Sequence, residues 1–369
     1  MKNKLLKAAT VAAVMSLAGG HAVASPAYAV IDLGAMGGDS FATSINNDGQ
    51  VSGVSYLTSP KNTSYARAFI YTNGTMTDLG TLGGTASVGY GLNNLGQIVG
   101  VSSNRDNSGS SAFLYSSGTM EALGTPFTPG DAYGINDYGQ IVGGMQFGNR
   151  FQAFLYDGGT IRNLGSLAGD SHAYDINNVG QVVGLSFTSL SNDTYHAFIY
   201  ADGNMADIGT LGGIFSSASR INSLGQVVGY SGIGGDRYAT HAFLFSSGTM
   251  TDLTTLGGSS SGASGINDSG QIVGWSTIVG DEMAHGFLFE GGRMLDVNDL
   301  IDPQIGWTVR AASDINASGQ ISASGCNLRG ECHALLLTPI DSQASEPASL
   351  ALFGIGLAGL LAARRRIKN

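Results

Sequence analysis

Proline, cysteine and charge are all scarce in this chain. Only 7 of its 369 residues are proline and 2 are cysteine, and Asp, Glu, Lys and Arg together make 12 %, about half the usual share. Disorder calls for low hydrophobicity with high charge, and 43 % of these residues are hydrophobic, so a folded chain is expected. No stretch of the body carries a helical period long enough to compete with extended structure. Lysine is nearly absent from the body: with both ends set aside, Lys61 alone remains, and 10 basic residues face 26 acidic ones. Such a surface repels phosphate backbones, which excludes nucleic acid as a partner. What is abundant is glycine, 57 residues with no Gly-X-Y period, the mark of many tight turns.

The ends give an address. Three lysines, Lys2, Lys4 and Lys7, precede an apolar run from Ala8 to Leu17, and Ala22-Val23-Ala24 follows as a small-x-small site. This is the pattern of a secretory signal peptide spanning 1–24. Ala27-Tyr28-Ala29 is a second site, but cleavage there would cut into a strand needed below. At the other end, Ala348 to Ala363 is an uncharged run, followed at once by Arg364, Arg365 and Arg366. Residues 348–369 read as a membrane-crossing helix with its basic end in the cytoplasm, joined to the body by a linker at 341–347. Glu346-Pro347, the apolar span and the arginine cluster together resemble the PEP-CTERM sorting signal. The family usually places a proline before the Glu, where this chain has Ser345. The resemblance implies recognition by an exosortase, cleavage near Glu346-Pro347, transient anchoring in the inner membrane, and an extracellular or outer-surface destination in a Gram-negative bacterium.

Between the ends lies one repeat. Gly-Gln recurs at 49, 96, 139, 180, 225, 270 and 319, and an Asn always stands three residues before it: Asn46, Asn93, Asn136, Asn177, Asn222, Asn267 and Asn316. Each unit splits into four extended segments, here a to d, as in ASRIN, QVVGYS, HAFLF and TMTDL between residues 218 and 253. Segments b and c are rich in β-branched and aromatic residues. Asn-x-x-Gly-Gln between a and b suits a hairpin with an Asx-turn and a left-handed Gly, and a second Gly turn joins c to d. Antiparallel order then puts the a–b and c–d turns at one end of each sheet. The b–c loops, variable in length and composition, lie with the d–a connections at the other end, the expected binding surface.

A unit of 41–49 residues and four strands has the size of a propeller blade. The mature chain begins with an unpaired d segment, Tyr28–Gly34, and ends with a c segment, His333–Pro339. Pairing them would complete the last unit and remove an open edge. The expected fold is therefore all-β: a seven-bladed β-propeller of four-stranded blades over residues 25–340, the last blade closed by the N-terminal strand. The alternative is an open β-repeat solenoid, which would need capping units. With His196-Ala197-Phe198 and His241-Ala242-Phe243 the units resemble the HAF repeat of extracellular proteins. Arg67, Ser111 and Gln152 replace its histidine in early units.

No catalytic constellation stands out. His196, His241, His285 and His333 share one repeat position and are read as packing or surface hydrogen bonds. Asp39, Asp131 and Asp170 follow inter-unit loops and are read as turn caps, and no Asp-x-Asp-x-Asp loop is present. No metal or other cofactor is expected. Asp175 and Arg220 hold the same register one unit apart and form a candidate binding or structural pair, with Asp314 in that register too. Cys326 and Cys332 flank the last b–c loop and are expected to form a disulfide. The function expected is a non-enzymatic binding or structural module of the extracellular matrix or envelope, with exopolysaccharide or a surface protein as partner and the membrane touched only through the tail before processing. The alternative is a secreted carbohydrate-active hydrolase or lyase using Asp175, Arg220, Trp275 and Trp307.

Overall fold

A computed structural model describes residues 27–57, 65–124, 129–191, 193–235, 238–281 and 283–340. Ala22, Ala24, Glu346, Pro347 and Arg364 to Arg366, and with them the signal, linker and tail segments, lie outside the described residues.

Every repeat unit becomes four antiparallel strands in the order a-b-c-d. In the first they are Ser40–Ile45, Val51–Tyr56, Ala66–Thr72 and Thr75–Asp78. Two neighbouring sets, starting at Ser171 and Gly212, are linked into one eight-stranded sheet by a single parallel bridge between Tyr195 and Phe215. The last set is assembled from both chain ends: Tyr28–Asp32 pairs antiparallel with Cys332–Pro339, in register from Tyr28 opposite Pro339 to Asp32 opposite Leu335. Among the described residues there is no α-helix, only two 3-10 turns at Val297–Asp299 and Pro303–Ile305 in the connection to the last unit. In three units a Gly-Gly pair after segment d already belongs to the next a strand, at Gly83–Leu92, Gly212–Ile221 and Gly257–Ile266. Glycine permits this, because a Cβ on Gly84 would stand 2.4 Å from the carbonyl oxygen of Asn104.

The cores lie between sheets. Among the described residues each of seven buried apolar clusters joins two neighbouring units, and one of them ties the last unit to the first through Ala334, Leu336, Leu33, Ala42, Val51 and Phe69. The series of units therefore closes on itself. The repeated Phe of segment c is wholly buried and lies over the repeated Gly of segment b: a Cβ on Gly53 would meet the Phe69 ring at 2.8 Å and the Phe41 carbonyl oxygen at 2.1 Å. In the last unit the pair is Ala323 and Leu335, a smaller side chain that leaves room for a methyl group. The repeated Ala before that Phe donates its amide to a serine of the next unit, as Ala197 to Ser216 Oγ at 2.8 Å and, across the closure, Ala334 to Ser40 Oγ at 2.9 Å. The bond recurs at Ala68, Ala153 and Ala242, while Gly130 and Val309 stand in the serine's place at the other two junctions, so only the apolar packing repeats at every one.

Candidate functional site

The a strands line the axis of the closed ring, and each carries a β-bulge at the same place. The register skips Thr43, Tyr90, Tyr133, Tyr174, Ser219, Ser264 and Ser313, always three residues before the repeated Asn. A bulge leaves one residue unpaired and re-aims its side chain. Here all seven line one axial cavity of about 410 Å³. Its wall is unequal. Three consecutive units present tyrosines, with ring centroids 5.1 Å apart for Tyr90–Tyr133 and 5.1 Å for Tyr133–Tyr174. The other four present Ser or Thr at the bulge, and the b strand of the fifth unit adds a fourth phenol, Tyr230, to the lining.

Burial pushes the phenols of Tyr90 and Tyr174 up to about 12 and raises Tyr133 as well, with the nearby Asp131 carboxylate adding to the rise for all three. All three remain neutral hydrogen-bond donors at ordinary pH. Tyr133 Oη donates to Asp131 Oδ2 at 3.2 Å, so Asp131 supports the tyrosine wall. Its own carboxyl is raised, chiefly by burial. Beside it His172 stacks between Phe151 at 5.3 Å and Tyr174 at 6.4 Å, and burial lowers its pKa, which keeps it neutral. Composition and repeat counting passed over this wall. The signal was there in Gly-Tyr-Gly-Leu-Asn, Ala-Tyr-Gly-Ile-Asn and Ala-Tyr-Asp-Ile-Asn, where a large side chain occupies a position held by Ser or Thr elsewhere.

Arg220 also lines this cavity and the smaller one of about 240 Å³ beneath it. Its guanidinium donates to Ser219 O at 3.1 Å and, across the axis, to Thr43 O at 3.5 Å. Asp175 and Arg220 do not form the direct ion pair that their shared register suggested. The short carboxylate reaches the backbone instead, accepting from Ile221 N at 2.9 Å, while the long arginine extends over the axis. They act on each other through the field: burial pushes Asp175 up to about 6, opposed by the charge of Arg220 and furthered by Asp314. Asp314 accepts from Ser44 Oγ at 2.8 Å and Ile45 N at 3.3 Å and is raised for the same reason, burial. Trp275 and Trp307 stay away from this group: the indole of Trp275 lies over Gly262, and that of Trp307 sits 5.4 Å from the His333 ring.

Below Arg220 the repeated asparagines form a belt. Asn46 Nδ2 donates to Asn93 O at 3.1 Å, Asn93 to Asn136 O at 3.0 Å, and so on through each unit until Asn316 donates to Asn46 O at 3.0 Å. The same side chains cap their own turns, as Asn136 Oδ1 does for the amides of Tyr138 and Gln140. A second layer, one residue on, is incomplete. Asn47, Asn94 and Asp137 each donate their backbone amide to the next unit, and so do Ser223 and Ala317. The chain of bonds breaks where the receiving residue would be Ser223 or Ala317.

The outer rim carries a separate repeated pair. His196, His241 and His285 each approach through Nδ1 an Asp on the neighbouring d strand, at 2.7, 2.8 and 2.6 Å, and His333 does the same with Asp32 at 2.8 Å across the chain closure. Arg67 with Asp78 and Gln152 with Asn163 take the same places in early units. Each imidazole thus pairs with a single carboxylate of its own sheet, and among the described residues no group of three or more His, Cys, Asp or Glu is placed to hold a metal ion. Asp170 pairs with Arg150 at 3.6 Å, and Asp39 accepts from Cys332 N at 3.4 Å. Asp281 accepts from Ser259 N at 2.6 Å and is fully exposed. Cys326 and Cys332 are bonded to each other across the last hairpin.

Residues 343–366 match the PEP-CTERM protein-sorting motif. The chain is therefore an exported protein sorted by an exosortase, with an envelope or extracellular location. Among the described residues no helix is long and apolar enough to cross a membrane. Residues 162–330 match a protein family of unknown function, DUF3466. No curated protein matches the chain. Among solved structures, the β-propeller domain of the Trilobed protease from Pyrococcus furiosus is similar at 11 % identity, over 72 % of this chain and 83 % of that one, with a TM-score of 0.52. TolB from Acinetobacter baumannii is similar at 12 % identity over 79 % of this chain, which spans 64 % of that TolB, with a TM-score of 0.47. A gluconolactonase from Xanthomonas campestris shares 11 % identity over 82 % of this chain and 98 % of its own, with a TM-score of 0.39. At such identities likeness speaks for fold alone, and the fold is that of a β-propeller.

Proposed function

We propose that this chain is a seven-bladed propeller of HAF-type repeats, delivered by a cleaved signal peptide and an exosortase to the matrix or outer surface. There it acts as a non-enzymatic binding module for exopolysaccharide or a surface protein. Seven blades are supported by the asparagine belt, which returns to its start after seven steps. The single observation that carries the binding role is the axial cavity. It is concave, its aromatic and hydroxyl walls differ, and its one charged lining residue among those described is Arg220, a hydrogen-bond donor with no acceptor. It sits in the C-terminal half of the a strands, on the side of the asparagine belt that faces the sheet end bearing the variable b–c loops.

The test is binding of the purified exported chain to the producer's own exopolysaccharide, with reducing-end release measured in parallel. Binding without turnover is expected. Absence of binding to matrix and cells, together with hydrolysis or elimination, would overturn the reading. A carbohydrate-active enzyme has one observation in its favour: the carboxyl of Asp175, pushed up to about 6 beside Arg220, resembles a general acid in its protonation. On that reading Asp175→Asn abolishes turnover.

A further inference from the structure

The axial cavity holds more specific information than the binding role it supports. Its seven bulged residues occupy equivalent positions, so the differences among them are unlike the exchanges of a tolerant loop: each side chain is aimed at the same space. The three tyrosines stand side by side on one wall, inclined to one another by 44° and 70°. Tyr230 of the fifth unit joins the lining beyond them. A flat ligand with one apolar face fits such a wall.

The opposite wall supplies hydroxyls. Ser313 Oγ donates to Ala42 O at 2.8 Å, which leaves its oxygen free to accept, whereas Thr43 Oγ1 is engaged by Gly89 O at 2.8 Å and by Ser52 Oγ at 3.4 Å. Ser219, Ser264 and the phenols of Tyr90 and Tyr174 carry no side-chain hydrogen bond among the described residues, so their donors also remain for a ligand. Charge narrows the class. Arg220 disfavours a cation in the cavity. The carboxylates of Asp175 and Asp314, close beneath it, offset its attraction for an anion, as does a body with 26 acidic residues against 10 basic. A ligand with an apolar face, hydroxyl edges and no charge satisfies all of these conditions. The volume of about 410 Å³ lies in the range of small-ligand sites.

We infer that the axial cavity binds a neutral pyranose residue, its C–H face on the Tyr90–Tyr133–Tyr174 wall and its hydroxyls on the Ser and Thr side chains opposite. This rests on the reading of the chain as a glycan-binding module and names the unit recognised. Arg220 closes the floor and donates to a ring or hydroxyl oxygen of the sugar. The pyranose enters from the loop-bearing end, since the asparagine belt and Arg220 occupy the other.

The test is calorimetric titration of the exported chain with methyl glucoside, methyl galactoside and methyl mannoside, against glucuronate and glucosamine as charged probes. At least one neutral glycoside is expected to bind about tenfold or more tightly than either charged probe. Tyr133→Ala weakens it at least about tenfold, Tyr133→Phe by about threefold or less, and Ser264→Tyr, which fills the cavity from the hydroxyl side, abolishes it. The last two variants keep the test valid if Tyr133→Ala fails to fold. Absence of binding by all three neutral glycosides overturns the inference, as does tighter binding of a charged probe or unchanged affinity in Ser264→Tyr. If the exopolysaccharide still binds the Ser264→Tyr chain at full strength, the cavity assignment fails while the binding-module reading stands. If the exopolysaccharide does not bind the unaltered chain, that reading fails instead.

Discussion

Two layers of the axial channel, three residues apart on the same strands, obey opposite rules. The asparagine belt is identical in all seven units, and the bulge layer above it is Thr, Tyr, Tyr, Tyr, Ser, Ser and Ser. The reason lies in what each side chain must do. Every belt asparagine is at most 6 % exposed, donates to the next unit and caps its own hairpin. No other side chain offers both an amide donor and a carbonyl acceptor at that length. The bulge residues face open volume, so the fold accepts any of several side chains there. Identity marks the layer that holds the ring together, and divergence marks the layer free to read a ligand.

The strongest way to break this comparison is within one unit. Asn136→Ala removes four hydrogen bonds from a residue that is 4 % exposed and leaves the Asn177 carbonyl with only its bond from Gly180 N. It should cost on the order of 4 kcal/mol in denaturant unfolding. Tyr133→Phe, three residues earlier, should cost less than about 1 kcal/mol. Equal losses would remove the distinction between the two layers.

Asp175, between the layers, sharpens it through pH. The folded chain holds this proton up to about pH 6, whereas an ordinary aspartic acid releases it near 3.8. Stability from this group therefore falls as pH rises from about 4 to about 6, with Asp314 shifted in the same direction. Asp175→Asn keeps an acceptor for Ile221 N and removes the buried charge. It should stabilise the chain by about 2–3 kcal/mol at pH 8 and by nearly nothing at pH 4, read as the pH dependence of the melting temperature. A stabilisation that is the same at both pH values would show that Asp175 titrates normally.

Smaller effects are expected away from the axis. Replacing both Cys326 and Cys332 by Ser opens a short loop in the last unit and should cost about 2 kcal/mol or less. Ser264→Ala in the bulge layer should change stability by under about 0.5 kcal/mol, while weakening saccharide binding in the titration above. A large stability loss for Ser264→Ala would make the hydroxyl wall structural.

Much of this was legible in the sequence because turn chemistry is local. Asn-x-x-Gly-Gln fixes a hairpin within five residues, and seven copies in one chain fix the number of units. The phase of the two ends pointed to the pairing of Tyr28–Asp32 with Cys332–Pro339, since an isolated d segment needs a c segment beside it. The address was equally local, carried by Glu346-Pro347, an apolar run and three arginines. The channel was not legible in the same way. A bulge shifts register by one residue, and no propensity marks which residue it strands, so Tyr90, Tyr133 and Tyr174 read as ordinary strand aromatics. Arg220 and Asp175 shared a register on paper, but side-chain length and ring curvature sent one across the axis and the other to a backbone amide. The sequence by itself determined the repeat, its hairpins and its destination. Only the closed ring decided which side chains share the axis, because residues as distant as Thr43 and Arg220 become neighbours through curvature summed over all the units.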